Sequence, residues 1–283
     1  MTIQLFNKIL FTGVVIFIFS IQILAQESVW ASMFGGGMKA IEQRNYKEAE
    51  RLFRSAISEA GNFDVQENPK AIGMMSDSLS GLSAALRGQK RYSDAEAVLR
   101  KQLQLLEMSV SDSDPDYSAT LNNIGLLLSE QQKYKEAEEI HRKAIKLREK
   151  YDEVPRRNLA VSLSNLGKVY FDQGSFPEAE SLFNRANEIS STISINDLTY
   201  EDLTFRLLVE DNLASIYLNQ KKYKEAELKY KHIIFLGEKF LGKTNFVLVE
   251  YLENYAELLR LTKRPVEAKK IESRIVLIKK SAQ

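Results

Sequence analysis

The sequence predicts an all-α fold, a right-handed α-α superhelix of about six helical hairpins. Three observations carry that expectation. A short word recurs along the chain: KYKEAE at 133–138 and again at 222–227, with NYKEAE at 45–50 and looser copies RYSDAE at 91–96, SFPEAE at 175–180 and RPVEAK at 264–269. The aromatic of the word, or its substitute, stands at Tyr46, Tyr92, Tyr134, Phe176, Tyr223 and Pro265, in steps of 46, 42, 42, 47 and 42 residues. Around each word, apolar residues recur at helical rather than strand spacing, and prolines fall only where a helix can start. Self-similarity at a period of this size marks a stacked array in which one hairpin cannot bury its apolar face alone.

Each repeat has an apolar-periodic helix A, a short polar turn, and a helix B opened by the word. In the third repeat, helix A runs from about Asp116 to Leu128, with Leu121, Ile124, Gly125 and Leu128 on one face. Helix B puts Tyr134, Ala137, His141 and Ala144 on one stripe. The fourth repeat copies this with Leu163, Leu166, Gly167 and Tyr170, then Phe176, Ala179, Phe183 and Ala186. The fifth and sixth follow with Leu213, Ala214, Tyr217 and Tyr223, Ala226, Tyr230, then Leu252, Tyr255, Ala256, Leu259 and Ala268, Ile275. These intervals of three and four residues are those of a single helical face. Gly125, Gly167, Ala214 and Ala256 share one helix A position, and Ala49, Ala95, Ala137, Ala179, Ala226 and Ala268 share one helix B position. Small residues at both let the two backbones approach.

The prolines agree. Pro69, Pro115 and Pro155 precede helices A, and Pro177 and Pro265 open helices B. A first helical turn tolerates proline, whereas an interior proline costs about 3 kcal/mol. The two longer steps place inserted loops at 61–70 and 191–200, both rich in turn residues. The first repeat is atypical. Gly35, Gly36 and Gly37 lie inside its helix A, where each glycine costs up to about 1 kcal/mol relative to alanine, so that helix is expected to fray or kink, held by Trp30 and Met38. Gly37 has a packing reason, because it takes the small-residue position. The last helix ends in Lys279 and Lys280, charges that suit a helix C-terminus and a capping role.

Residues 1–25 are of another kind. Lys8 precedes an apolar run through Leu24, and Ala25 precedes polar sequence. This predicts a secretory signal peptide cut after Ala25, with an uncleaved membrane anchor as the alternative. The run of about 16 residues is short against the roughly 20 that a span needs. The expected domain order is therefore 1–25 signal peptide and 26–283 array, with repeats at about 29–60, 71–108, 116–150, 156–190, 200–239 and 246–281. Export would place the protein in the periplasm or outside a bacterial cell.

Composition narrows the chemistry. Lys and Arg number 39 against 38 Asp and Glu, a net charge of +1 that does not favour nucleic acid. With no cysteine, disulfides, thiolate catalysis and Cys-ligated metals are excluded. The two histidines, His141 and His232, lie on different helices B, and His141 falls at a core packing position. No glycine-rich phosphate loop and no Ser/His/Asp arrangement is present. The expectation is a non-enzyme with no cofactor, no metal and no catalytic residue. The acids of the word, such as Glu136 and Glu138, read as solvated or helix-N-terminal charges.

One constellation stands apart. Asn123, Asn165, Asn212 and Asn254 lie two residues before the small helix A residue in four consecutive repeats. Asparagine is a poor helix-interior residue, so its recurrence needs a reason. An amide offers donors and an acceptor, and a ladder of them could pair with the backbone of an extended peptide. The other reading is that the amides tie neighbouring helices A together. Flanking positions hold Asn122, Ser164, Asp211 and Glu253 on one side, and Leu126, Lys168, Ser215 and Glu257 on the other.

The large, large, small, aromatic pattern of helix A and the aromatic, Ala, aromatic, Ala pattern of helix B resemble the tetratricopeptide repeat. The 42-residue step and the segment DPDYSATLNN at 114–123 resemble its kinesin-light-chain type. That resemblance covers nearly all of 29–280 and implies that the asparagine positions face a concave groove. The peptide-binding residues it points to are Asn123, Asn165, Asn212 and Asn254, with Asn122 and Lys168 beside them. The expected function is an exported protein–protein interaction scaffold taking a peptide or protein segment in that groove. The alternative is an assembly component of an envelope complex that contacts partners through loops or the convex face. The partner is expected to be protein, without nucleic acid and without membrane insertion after cleavage.

Overall fold

The computed structural model describes residues 26–63, 70–109, 115–150, 156–194 and 196–281. Twelve helices are found among them: α1 (26–42), α2 (Tyr46–Ala60), α3 (Ala71–Gly88), α4 (Tyr92–Ser109), α5 (Pro115–Glu130), α6 (Tyr134–Lys150), α7 (Arg156–Asp172), α8 (Phe176–Ser191), α9 (Tyr200–Asn219), α10 (Tyr223–Leu241), α11 (Leu248–Leu261) and α12 (Pro265–Ser281). No strand occurs among the described residues. Odd-numbered helices are the predicted helices A and even-numbered ones the helices B. Helices adjacent in sequence pack on each other from α2 to α5 and from α7 to α12, as hairpins require. The chain divides between Ile140 and His141 into two compact units.

The six turns from helix A to helix B are built alike. The residue two before the word's aromatic is left-handed in every one: Arg44, Lys90, Gln132, Lys221 and Lys263 at φ between 57° and 61°, and Gly174 at 77°. The next amide reaches back five residues, as Lys133 N to the Leu128 carbonyl at 2.9 Å and Lys222 N to the Tyr217 carbonyl at 2.8 Å. These bonds close the helix A C-terminus with a Schellman motif that satisfies its orphan carbonyls. Only one turn places glycine at the left-handed residue. The other five accept a conformation that costs an L-residue about 1 kcal/mol.

In the unit up to Ile140, the Phe53 ring of α2 lies in a slot between α1 and α3. A Cβ added at Gly37 would stand 2.8 Å from Phe53, and one at Gly81 only 2.3 Å from it. Helix α1 runs without interruption from 26 to 42, so the expected break at its glycines does not occur. The Trp30 indole donates to Ser78 Oγ at 2.9 Å and stacks on Phe34 at 5.1 Å, and Phe34 meets Phe53 edge-on at 5.7 Å. Trp30 does hold this helix; Met38, expected to help, is exposed. Behind α3, the buried Gln102 amide of α4 donates to Ser76 and Ser80 at 2.8 and 2.9 Å.

In the unit from His141 on, one cluster gathers Leu163, Leu166, Phe183 and Leu213, another Leu207, Tyr230, Ile233 and Leu259, and a third Leu248, Leu252 and Ile278. Every shared small position is buried as predicted: Ala179, Ala214, Ala226, Ala256 and Ala268 expose 1% of their area or less. Proline placement also holds where it is described, since Pro115 and Pro265 begin α5 and α12 and Pro177 sits in the first turn of α8. Pro69 and Pro155 lie outside the described residues. So does the expected signal peptide at 1–25. The second inserted loop lies where expected: α8 ends at Ser191, and Thr199 opens α9 with a capping box to Asp202. The expected polar terminus is only partly polar: Lys279 bonds Glu253 at 2.7 Å, but Val266, Val276 and Leu277 of α12 are exposed.

Candidate functional site

The four asparagines occupy one register position on α5, α7, α9 and α11, yet their side chains do different things. Asn123 is exposed on α5 and makes no hydrogen bond among the described residues. With Ser80, Ser83 and Arg87 of α3 it lines a cleft of about 100 Å³. Arg87 is anchored there by a two-pronged contact to Glu130, at 2.8 and 2.6 Å. The ladder does not extend to α3, where Gly81 holds the equivalent position and Phe53 leaves no room for a side chain.

In the second unit, Asn212 of α9 is half-buried and likewise makes no hydrogen bond among the described residues. Asn254 of α11 is committed: its amide donates to Asp211 Oδ1 of α9 at 3.1 Å. For this asparagine the tie between neighbouring helices A, the rival reading from sequence, is the one seen. Asn165 of α7 is half-buried and engaged with neighbouring groups. Burial pushes the Asp211 carboxyl up to about 6, with the Asn254 bond opposing and Glu250 adding to the rise.

One expected site residue is corrected. Asn122 is 5% exposed, engaged with neighbouring groups, and faces the core, so it cannot reach a ligand from solvent. The reason is the helical step of about 100° per residue, which turns position 122 inward when 123 points out. Ser164 at the same position is buried too. Lys168 is exposed as expected, but its ammonium is paired with Asp172 one turn on and lies 5.4 Å from the Phe171 ring centre.

The reading of the word's acids as solvated also needs correction, for the second glutamate. Glu50 accepts from Gln89 and Arg91 at 2.8 and 2.9 Å, and Glu96 accepts from Gln131 and Lys133 at 2.8 and 3.4 Å. Glu180 accepts from Gln220 at 3.1 Å, and Glu227 from Arg264 at 2.8 Å. In each pair the glutamate belongs to one helix B and the donors to the turn of the following repeat. The signal was in the sequence: Gln43, Gln89, Gln131, Gln173 and Gln220 all stand three residues before the word's aromatic. Lys269 takes the glutamate's place in the last repeat.

The histidines are placed as predicted, on α6 and α10. His141 is fully buried and neither ring nitrogen has a partner among the described residues. His232 Nδ1 lies 2.7 Å from Glu210 Oε2, whose residue is 3% exposed. Among the described residues, no group of three or more His, Asp or Glu could hold a metal ion, and no helix is long and apolar enough to cross a membrane.

Comparison with known proteins adds the family. The tetratricopeptide-repeat model matches residues 74–150 and 119–191. No curated protein matches the chain. Among solved structures, the chain is similar to BtubC (BKLC) from P. vanneervenii, at 15% identity and a TM-score of 0.71, covering 84% of this chain and 92% of that one. It is also similar to a Podosopora anserina kinesin light chain with nearly identical TPR-like repeats, at 16% identity and a TM-score of 0.60, covering 73% of this chain and 95% of that one. A third is NprR in complex with its cognate peptide NprX, at 13% identity and a TM-score of 0.58, covering 89% and 71%. Tetratricopeptide repeats therefore occupy residues 74–191, and the same hairpin register runs from Tyr46 to Pro265.

Proposed function

We propose that this protein is an exported, non-enzymatic interaction scaffold that binds a peptide or protein segment on the exposed face of its helices A. The observation that carries this reading is the state of Asn123 and Asn212. Each is a helix-interior amide with no intramolecular hydrogen bond among the described residues, at a position where most other residues would favour the helix more. An amide of this kind can both donate to and accept from the backbone of an extended chain. The likeness to NprR seen with a bound peptide supports the same reading through the fold.

The test begins with short random peptides displayed on phage and selected on the mature protein. Affinities of the selected peptides are then measured for Asn123→Ala, Asn212→Ala and Asn254→Ala. Loss of a two-sided amide contact should weaken binding about tenfold, the equivalent of roughly 1.4 kcal/mol. Asn123→Ala or Asn212→Ala is expected to show that loss with an unchanged melting transition. Selected peptides that bind both variants as tightly as the parent would remove the asparagines from the site. Export is tested separately: the intact mass of the protein from its native cells should lack residues 1–25.

A further inference from the structure

An array of this kind is held by contacts between one repeat and the next, so α1 and α12 each carry half of a contact that the described residues do not complete. The apolar half is read from register. Eleven residues after the word's aromatic, Ile234 of α10 packs on the cluster of Leu248 and Val249 in the next helix A, α11. Its counterparts Ile57, Leu103, Ile145 and Asn187 are likewise buried or half-buried. The counterpart on α12, Val276, is 52% exposed. On the receiving side, Leu248 stands 17 residues before its word's aromatic position and is fully buried. The residue at that place in α1 is Val29, which is 42% exposed.

The polar half is changed on both helices, and the changes match. Between repeats, a helix B glutamate accepts from the following turn, as Glu50 does from Gln89 and Arg91 and Glu227 from Arg264. In α12 that glutamate is replaced by Lys269, which is exposed. The first turn keeps the glutamine, as Gln43, but the residue before its aromatic is Asn45, where four of the other five turns carry Lys or Arg. Gln43 and Asn45 are exposed. Among the described residues the Gln43 side chain makes no hydrogen bond, and that of Asn45 accepts only from the Glu48 amide. A lysine at the glutamate's place would be repelled by a Lys or Arg in the turn, but it can donate to the side-chain carbonyls of Gln43 and Asn45.

We propose that the protein binds a second copy of itself head to tail, with α12 of one copy stacked on α1 of the next as a helix B stacks on the following helix A. Val276 covers Val29, and Lys269 meets Gln43 and Asn45. The contact joins unlike faces, so a bound pair still offers one free face of each kind, and association continues past the dimer unless a ring closes. This self-association is independent of the asparagine reading.

Sedimentation velocity of the purified protein over a series of concentrations tests this. The expected result is a mean mass that rises with concentration from that of the monomer through that of the dimer. Val276→Asp and Val29→Asp each spoil one face at an exposed residue, and each variant alone should stay monomeric with an unchanged melting transition. Val276→Lys serves if Val276→Asp melts early. Mixed in equal amounts, the two variants should form a dimer and nothing larger, because each pair holds one intact α12 face and one intact α1 face. Asn45→Lys should weaken association by about tenfold through repulsion from Lys269. Adding Lys269→Glu to that variant should restore association, by rebuilding the ion pair that Arg91 makes with Glu50. A monomer at every concentration, growth that survives either aspartate variant, a mixture that stays monomeric, or a charge-swapped variant that associates no better than Asn45→Lys overturns the proposal.

Discussion

Gln131 donates its side-chain amide to Glu96 at 2.8 Å, and so joins the turn of one repeat to helix B of the repeat before it. The same join is made by Gln89 with Glu50 and by Gln220 with Glu180. It fixes each hairpin on its predecessor by a directional, charge-assisted contact, on top of the non-directional burial of the core.

Glu96 is the most enclosed of these glutamates, and it titrates accordingly. Burial raises its carboxyl pKa, but Gln131, Arg100 and Lys133 together outweigh burial and hold it below the ordinary value. A group whose folded pKa is depressed stabilises the fold above its unfolded pKa and loses that contribution as pH falls through the folded one. Glu96→Ala should lower stability by about 1–3 kcal/mol at pH 7, by stranding its partners. The deficit should shrink below about pH 4, where the parent loses the same charge. Urea unfolding at pH 7 and in acid measures both.

Asp211 behaves in the opposite sense. With its folded pKa at about 6, above the ordinary carboxyl value, its favourable state is the protonated one. Its contribution is fully present below the unfolded pKa and is lost as pH rises through about 6. Asp211→Asn should therefore stabilise the protein at pH 7.5, by at most about 3 kcal/mol, and the gain should fade as pH is lowered through 6. A pH series of melting temperatures for parent and variant checks the crossover. A gain that stays constant from pH 5 to pH 8 would contradict it.

His141 stands where other repeats place Phe53, Phe183 and Tyr230. Burial, reinforced by Arg148, lowers its pKa to about 4, so it stays neutral in the core. The neutral ring still carries an N–H and a lone pair with no partner among the described residues. Unsatisfied buried polar groups cost about 1–3 kcal/mol each. His141→Phe is expected to raise stability at pH 7. It should also move acid unfolding to lower pH, because a histidine with a depressed folded pKa withdraws its stability as pH falls from about 6.5 through 4. Circular dichroism against pH compares the two.

Two glycines of the first hairpins give a paired test. Gly81→Ala places a methyl 2.3 Å from Phe53 Cε1 and should destabilise by about 1–3 kcal/mol through overpacking. Gly35 has nothing within 4 Å of an added Cβ, so Gly35→Ala should stabilise by up to about 1 kcal/mol through helix propensity. Opposite shifts in melting temperature are the expected outcome.

The sequence by itself determined the repeat register, and with it the helices, their partners and the small-residue contacts. This is because a fixed period leaves each residue type at one place in a helical hairpin. It also located the asparagines. Tertiary structure alone decided which of them are available. Asn254 is spent on Asp211 because α9 and α11 lie side by side, and Asn122 is lost to the core because one residue turns the helix by about 100°. The left-handed turns at Arg44, Lys90, Gln132, Lys221 and Lys263 were hidden, since lysine, arginine and glutamine give no local signal for positive φ. The glutamate joins left only half a signal, the glutamine three residues before five of the aromatics. Their two halves lie about 40 residues apart, and only stacking brings Gln131 to Glu96.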